Sequence, residues 1–220
     1  MGLGAAGSNE FGSGRFLGHL GLTYWASDVL TLTGAYQREP VPVSPRAAAL
    51  AIYRDENRYS LEWRPGFRTT VDLSVAADRY SDGNWRREVV LAPRAAVLRS
   101  EQHNLDLGAS LQWQSFQNNY TNGYYASTNA QRYWGVAYYY WKISENDGLS
   151  VVLSAGPERD RQLESGFRLG SNLYVEGICG IYRDWQLRSY ASYGSRLDGA
   201  SRSGGRSYGS SVGLDLIRRF

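Results

Sequence analysis

The sequence predicts an all-β fold of one kind, a transmembrane antiparallel up-and-down β-barrel. Three observations predict it: hydrophobicity alternates with period two, the alternating runs are long, and the connections alternate between short and long. In Asn104–Gln114, residues Leu105, Leu107, Ala109, Leu111 and Trp113 fall on one face, and Asn104, Asp106, Ser110, Gln112 and Gln114 on the other. Thr70–Val75, Tyr59–Arg64 and Ser211–Leu216 repeat the pattern. Alternation of this kind marks strands with one apolar and one polar face. Most runs are about ten to fourteen residues long, whereas a usual globular strand has about five or six and a tilted membrane strand about nine to eleven.

About eleven strands follow in order, near 15–25, 28–38, 57–64, 68–80, 84–98, 103–116, 130–143, 148–156, 171–182, 185–195 and 206–219. One set of connections is very short: Ala26-Ser27, Arg64–Phe67, Ser100–Gln102, Ser144–Asp147 and Arg183-Asp184. The other set is mostly long and polar, near 39–56, 117–129, 157–170 and 196–205, with the tight Ser81–Asn84 turn as its exception. Outer-membrane barrels sort their loops in this way, with short periplasmic turns and longer outer loops. Aromatic residues (Trp25, Tyr36, Tyr59, Trp63, Tyr80, Trp85, Trp113, Tyr120, Tyr124, Tyr125, Tyr182, Trp185 and Tyr193) lie near predicted strand ends, where two interfacial girdles belong.

The ends of the chain give a further expectation. Phe220 closes a strand with Val212, Leu214 and Leu216 on its own parity, which resembles the insertion signal read by the barrel-assembly machinery; Arg218 stands where that signal is usually apolar. If Phe220 ends in the periplasm, eleven strands start from the outside, yet complete bacterial barrels have even counts and periplasmic ends. The N-terminus also lacks the basic start and apolar core of a secretion signal. The expectation is a glycine-rich segment over 1–14, a fragment start or outer loop, followed by an outer-membrane barrel over 15–220 that is an N-terminally truncated larger one. The alternative is a twelfth strand hidden in the glycine-rich start.

Composition agrees and excludes other classes. The 220 residues include 17 Tyr, 7 Trp, 6 Phe and 25 Gly, against one Met and one Cys. Aromatics and glycine in that quantity favour strands and turns. No run approaches the length of an apolar transmembrane helix. A single cysteine, Cys179, leaves no intrachain disulfide or cysteine-based zinc site. The net charge of +3 comes almost wholly from arginines spread along the chain, which gives no reason to expect nucleic acid. His19 and His103 are isolated, so neither a metal nor a cofactor is expected. They also lack the nucleophile and acid of a triad, so the chain is expected not to be an enzyme. Cys179 shares the outward parity of Leu173, Val175 and Ile181 and reads as a small apolar wall residue.

By alternation the inward residues include Glu62, Arg64, Asp72, Asp78, Arg86, Glu88, Arg94, Asn104, Asp106, Gln112, Gln114, Glu176, Gln186, Arg188 and Asp215. Interleaved charges and amides make a polar lumen. Two readings of these residues stay open. They form a path of many weak sites for a polar polymer, or they pair across neighbouring strands and hold the wall together. Asp82-Gly83-Asn84 reads as a hairpin turn. Tyr124 and Tyr125 read equally as interface anchors or as sugar platforms.

Three stretches carry a family resemblance. Tyr80-Ser81-Asp82-Gly83-Asn84-Trp85-Arg86-Arg87 is the first, and Asn122-Gly123-Tyr124-Tyr125-Ala126-Ser127 with Arg132-Tyr133 the second. The third is Arg38-Glu39-Pro40-Val41-Pro42 leading into Ser44-Pro45-Arg46-Ala47. In this order they resemble the C-terminal barrels of tetratricopeptide-containing exopolysaccharide export porins, of the poly-N-acetylglucosamine, cellulose and Pel types. Ala126-Ser127 departs from the Asp-Pro or Ser-Pro that usually follows the tyrosines. The resemblance spans roughly 38–220, and no 34-residue helical period is visible. It implies an outer-membrane porin that conducts a secreted exopolysaccharide, with outer-membrane lipid, the barrel-assembly machinery, a periplasmic helical-repeat region and an inner-membrane synthase complex as partners. The residues alone also allow a structural or adhesive barrel, or a sugar or small-solute porin.

Overall fold

A computed structural model describes residues 2–8, 15–41, 45–119, 122–124, 126–160, 166–182, 185–195 and 208–218. Twelve strands form one antiparallel sheet in sequence order: β1 (Gly2–Ser8), β2 (Arg15–Ser27), β3 (Leu30–Pro40), β4 (Tyr53–Gly66), β5 (Thr69–Tyr80), β6 (Trp85–Arg99), β7 (His103–Phe116), β8 (Ala130–Lys142), β9 (Gly148–Asp160), β10 (Arg168–Tyr182), β11 (Trp185–Ser195) and β12 (Tyr208–Arg218). One five-residue helix, α1 (Pro45–Ala49), lies between β3 and β4. The up-and-down order is the one the alternation predicts. β1 and β12 are the sheet's edges, and among the described residues no pairing joins them.

The start of the chain corrects an expectation. The glycine-rich segment is not an outer loop throughout: Gly2–Ser8 pairs with Arg15–Gly21 of β2. The strand was illegible because Gly and Ala give an alternating pattern no side chains to display. β1 runs towards the long-loop end, and its Gly2 lies opposite Gly21, six residues short of the end of β2 at Ser27.

Register follows from the alternation. Leu61 lies opposite Leu32 and Leu73, and Leu91 opposite Leu73 and Leu111, so leucines share one face across five strands. That face also carries Leu22, Tyr59, Val75, Leu107, Leu153, Leu173 and Leu214, all exposed. Such a surface would aggregate in water and is stable against lipid. Cys179 is exposed on the same face. The buried residues belong instead to the polar face, among them Asp78, Glu88, Glu158, Trp134 and Val136. Four register shifts, at Trp25/Ser27, Trp63/Gly66, Ala96/Leu98 and Gly180/Tyr182, all fall at the short-turn end. Bulges are common at barrel rims.

Several strands run further than the alternation suggested. β4 begins at Tyr53, and β9 continues past Pro157 to Asp160. The connections expected over 39–56 and 157–170 shorten accordingly. Proline lacks an amide hydrogen and should interrupt a ladder. The chain accommodates both interior prolines through a nearby glycine. The β6–β7 ladder skips the positions around Pro93, and a Cβ on Gly108 would stand 2.4 Å from the Pro93 carbonyl oxygen. The β8–β9 ladder skips those around Pro157, and a Cβ on Gly156 would stand 2.1 Å from the Tyr133 carbonyl oxygen.

Candidate functional site

Two of the resemblance-bearing stretches meet at the long-loop end. The Tyr80–Asn84 turn is closed by Gly83 N–H donating to the Tyr80 carbonyl and Tyr80 N–H to the Asn84 carbonyl. Gly83 has φ +87°, a conformation that favours glycine. Asn84 N–H donates to Asp82 Oδ1 at 3.1 Å, the local bond that suits Asp to a turn. The turn then grips the loop after β7. Asn84 Nδ2 donates to the Asn118 carbonyl at 2.9 Å, and Asn118 N–H donates to Asn84 Oδ1 at 3.0 Å. The Tyr124 hydroxyl donates to Asp82 Oδ2 at 2.7 Å, and Asn122 Nδ2 donates to the same oxygen at 2.9 Å.

The Tyr124 ring stacks on Tyr80 at 4.7 Å and 10°. Ile52, Phe116 and Ala126 complete an apolar cluster there, with Val41 against it. Ser81 and Tyr53 exchange hydrogen bonds, and Val41 N–H donates to the Ile52 carbonyl, so the α1 loop joins the same assembly. Ser127 Oγ donates to Asp160 of β9 at 2.5 Å. Tyr124 is only 9% exposed, so it is neither a lipid anchor nor an open sugar platform. It is a peg holding the outer loops to the rim. Burial and the bond to Asp82 raise its hydroxyl pKa well above the usual value. Gly123, with φ +91°, sets the loop's turn into Tyr124. Tyr125 and Phe220 lie outside the described residues.

Below this cap, the polar face of β3–β7 carries a continuous ionic network. Arg86 Nε donates to Asp78 at 2.6 Å, and its Nη1 reaches Glu88 at 3.6 Å. Arg54 contacts Glu39, Glu56 at 2.9 Å and Asp78 at 3.6 Å. Arg58 bridges Glu56 at 2.7 Å and Glu88 at 3.5 Å. Gln112 donates to Glu88 at 3.0 Å and accepts from Arg132 at 3.4 Å. A second centre follows at Glu158, which is fully buried and faces Arg132 at 3.4 Å and Arg168 at 3.2 Å.

The other expected inward residues share this face but stand in smaller groups. Glu62 pairs with Arg64 at 2.6 Å, Asp72 with Arg94 at 3.5 Å, and Asp106 with Arg99. Gln114 lies opposite Glu88 and Ala130. Glu176 accepts from Arg188 at 2.7 Å and from the Tyr174 hydroxyl at 2.5 Å, and Asp215 lies 3.9 Å from Arg188.

Sequence reasoning missed Arg54, Glu56, Arg58, Arg132, Glu158 and Arg168. The first two extend the parity of Glu62 through a stretch read as loop, and Pro157 concealed Glu158. It also missed a tyrosine row. Tyr138 lies opposite Asp106 and Val152, Val152 opposite Tyr174, and Glu176 opposite Tyr190. With Tyr140, these rings stand on the polar face of β8, β10 and β11. Tyr174 and Tyr190 stack at 6.4 Å, and Arg188 lies 5.8 Å from the Tyr190 ring. The signal was present in Tyr138-Tyr139-Tyr140, whose successive members point to opposite faces, so that Tyr138 and Tyr140 share the polar one.

A long-stranded antiparallel sheet with an exposed apolar face, a polar face and loops sorted by end is the wall of an outer-membrane β-barrel. The sequence pattern of the PgaA membrane beta barrel domain matches residues 4–134, and the chain belongs to that family. It is accordingly a protein of the bacterial outer membrane. Among solved structures it is similar to a bacterial polysaccharide outer membrane secretin, with 17% identity and a TM-score of 0.78 over 94% of this chain and 71% of that one. The likeness is one of fold. A KdgM porin in complex with disordered oligogalacturonate overlaps 82% of this chain and 85% of its own, with 10% identity and a TM-score of 0.45. The NanC porin overlaps 99% and 98%, with 9% identity and a TM-score of 0.49. A comparison with curated proteins found no match.

Proposed function

We propose that this chain is the wall of a porin through which a secreted exopolysaccharide leaves the cell. Membership of the PgaA membrane beta barrel family carries the reading. The polar face supports it in two ways. Its charges are largely neutralised by each other, so a neutral or weakly charged polymer meets no strong field. The tyrosine row offers sugar rings flat surfaces, with Glu176 and Arg188 alongside for hydroxyl groups. Transport needs many weak contacts, so that the chain can leave again. Glu62, Arg64, Asp72, Arg94, Asp106, Gln114 and Asp215 would add polar contacts along the same path.

On this reading the protein conducts and does not catalyse. The barrel-assembly machinery would insert it through its last strand, and a periplasmic helical-repeat region and an inner-membrane synthase complex would deliver the polymer. Single-channel recording in planar bilayers, on the protein as it occurs in the bacterium, tests the reading. Conductance blocked by oligosaccharides of one polymer, more strongly as they lengthen, is the expected result. A folded protein with no conductance, or one whose conductance no oligosaccharide blocks, would overturn it.

A further inference from the structure

The apolar face is not uniform. Six residues with an ionic side chain have its parity in the paired strands. Arg218 lies at the short-turn rim, opposite Trp185. The other five, Arg38, Asp55, Arg79, Arg87 and Arg159, lie at the long-loop end. Four arginines there face one aspartate, on the side that meets the outer leaflet.

These arginines are not equivalent. Arg38 is held by Asp55 through bonds of 2.5 and 2.8 Å. Arg159 donates to Gln131 at 2.8 Å and lies 4.6 Å from the Phe167 ring. Arg79 and Arg87 are exposed. Arg79 rests 5.8 Å from the Trp85 ring and lies opposite Asp55, which Arg38 already holds through two bonds, and Arg87 has no ion pair among the described residues. Register makes them diagonal neighbours: Arg79 lies opposite Trp85, and Arg87 opposite Ala77, two residues nearer the membrane. Directly below, Tyr59, Val75 and Val89 expose an apolar strip on the same face.

We propose that Arg79 and Arg87 bind the phosphate of a phosphorylated lipid of the outer leaflet, with its acyl chains on the Tyr59–Val75–Val89 strip. Charge complementarity selects the ligand. A guanidinium pair matches phosphate oxygens bidentately, and exposed cations that outnumber the carboxylates beside them at a lipid headgroup level need an anion. The strip below demands acyl chains on that same anion, which a free phosphate lacks. Trp85 holds the Arg79 side chain in place from one side. The site faces lipid and is independent of what the polar face conducts.

Native mass spectrometry of the folded, detergent-solubilised protein tests the assignment, with a bisphosphorylated glycolipid, the same lipid after phosphatase treatment, and inorganic phosphate as probes. The phosphorylated lipid should bind roughly tenfold or more tightly than the dephosphorylated one, because two arginines read the charge. Arg79→Gln combined with Arg87→Gln should remove that preference, and Arg79→Lys with Arg87→Lys should keep part of it. Heat-modifiable gel mobility verifies that each variant is folded. Equal binding of the two lipids, or an unchanged preference in the double glutamine variant, would overturn the proposal. So would displacement of the lipid by millimolar inorganic phosphate, which would mark a simple anion site.

Discussion

The polar face of β4–β6 and that of β10–β11 read as one kind in sequence, each a strand face that mixes arginine with acid, more densely on the first. In the structure they differ. On β4–β6 every acid of the network touches at least one arginine, and Asp78 is fully buried between Arg54 and Arg86. On β10–β11 one Glu176–Arg188 pair stands beside tyrosine rings that remain accessible. The first region is a scaffold whose charges pair with one another, with Asp78 Oδ1 and Arg54 Nε left buried without a hydrogen bond, and the second presents open contact surface. Charge on an inner face is therefore a poor guide to a transport path until its partners are known. A buried charge costs several kcal/mol unless paired, so density of charge favours mutual pairing over readiness for a substrate.

Mutations can break the comparison, starting where the effect is largest. Asp78→Ala should destabilise the barrel by about 3 kcal/mol, because it removes the fully buried carboxylate that Arg54 and Arg86 share. Denaturant-induced unfolding followed by tryptophan fluorescence measures this. A loss below half that size would mean the network is solvated and the scaffold reading fails. Tyr124→Ala should also cost about 3 kcal/mol, the usual price of removing a buried aromatic. Its effect should be local, with faster hydrogen exchange in 117–119 and 126–129.

Tyr124→Phe is a gentler test. It keeps the ring stack and loses the bond to Asp82, worth about 1–2 kcal/mol. It should also alter the response to alkali. The folded hydroxyl titrates above the unfolded one, so its contribution is whole below the ordinary tyrosine value and declines as pH rises past it. The wild type should lose stability there more steeply than the phenylalanine variant, as thermal melts across that range would record.

Tyr174→Ala with Tyr190→Ala should leave stability nearly unchanged. Each lost ring contact is worth about 1 kcal/mol, so oligosaccharide block should weaken roughly thirtyfold for the pair. Block unaffected by this change but abolished by Asp78→Asn, in a folded protein, would reverse the assignment of the two regions. The smallest effect belongs to Cys179→Ala on the apolar face, expected within about 0.5 kcal/mol of wild type.

Much of the architecture was legible because barrel strands are long and read alternately from two solvents. Period two survives in Asn104–Gln114 whatever the loops do, and the eleven strands so marked all exist, with ends that shift. What stayed hidden shares a cause. Gly2–Ser8 lacked side chains to alternate. Glu158 lay beyond a proline whose ladder break Gly156 absorbs. Tyr53–Glu56 looked like loop because charge on the polar face of a strand resembles charge in solvent. The Asp82–Asn84 and Asn122–Tyr124 stretches were visible as two motifs, but their bond across some forty residues was not.

By itself the sequence determined which face of each strand meets lipid and which turns away, because burial in hydrocarbon constrains every second residue independently of its neighbours. Tertiary structure alone decided what the inward residues do there. Pairing depends on register between strands, and register brings Arg86 to Asp78 while it sets Tyr174 beside Tyr190 with part of each ring accessible. A one-dimensional pattern fixes the direction in which a side chain points, and only the neighbouring strand fixes what it meets.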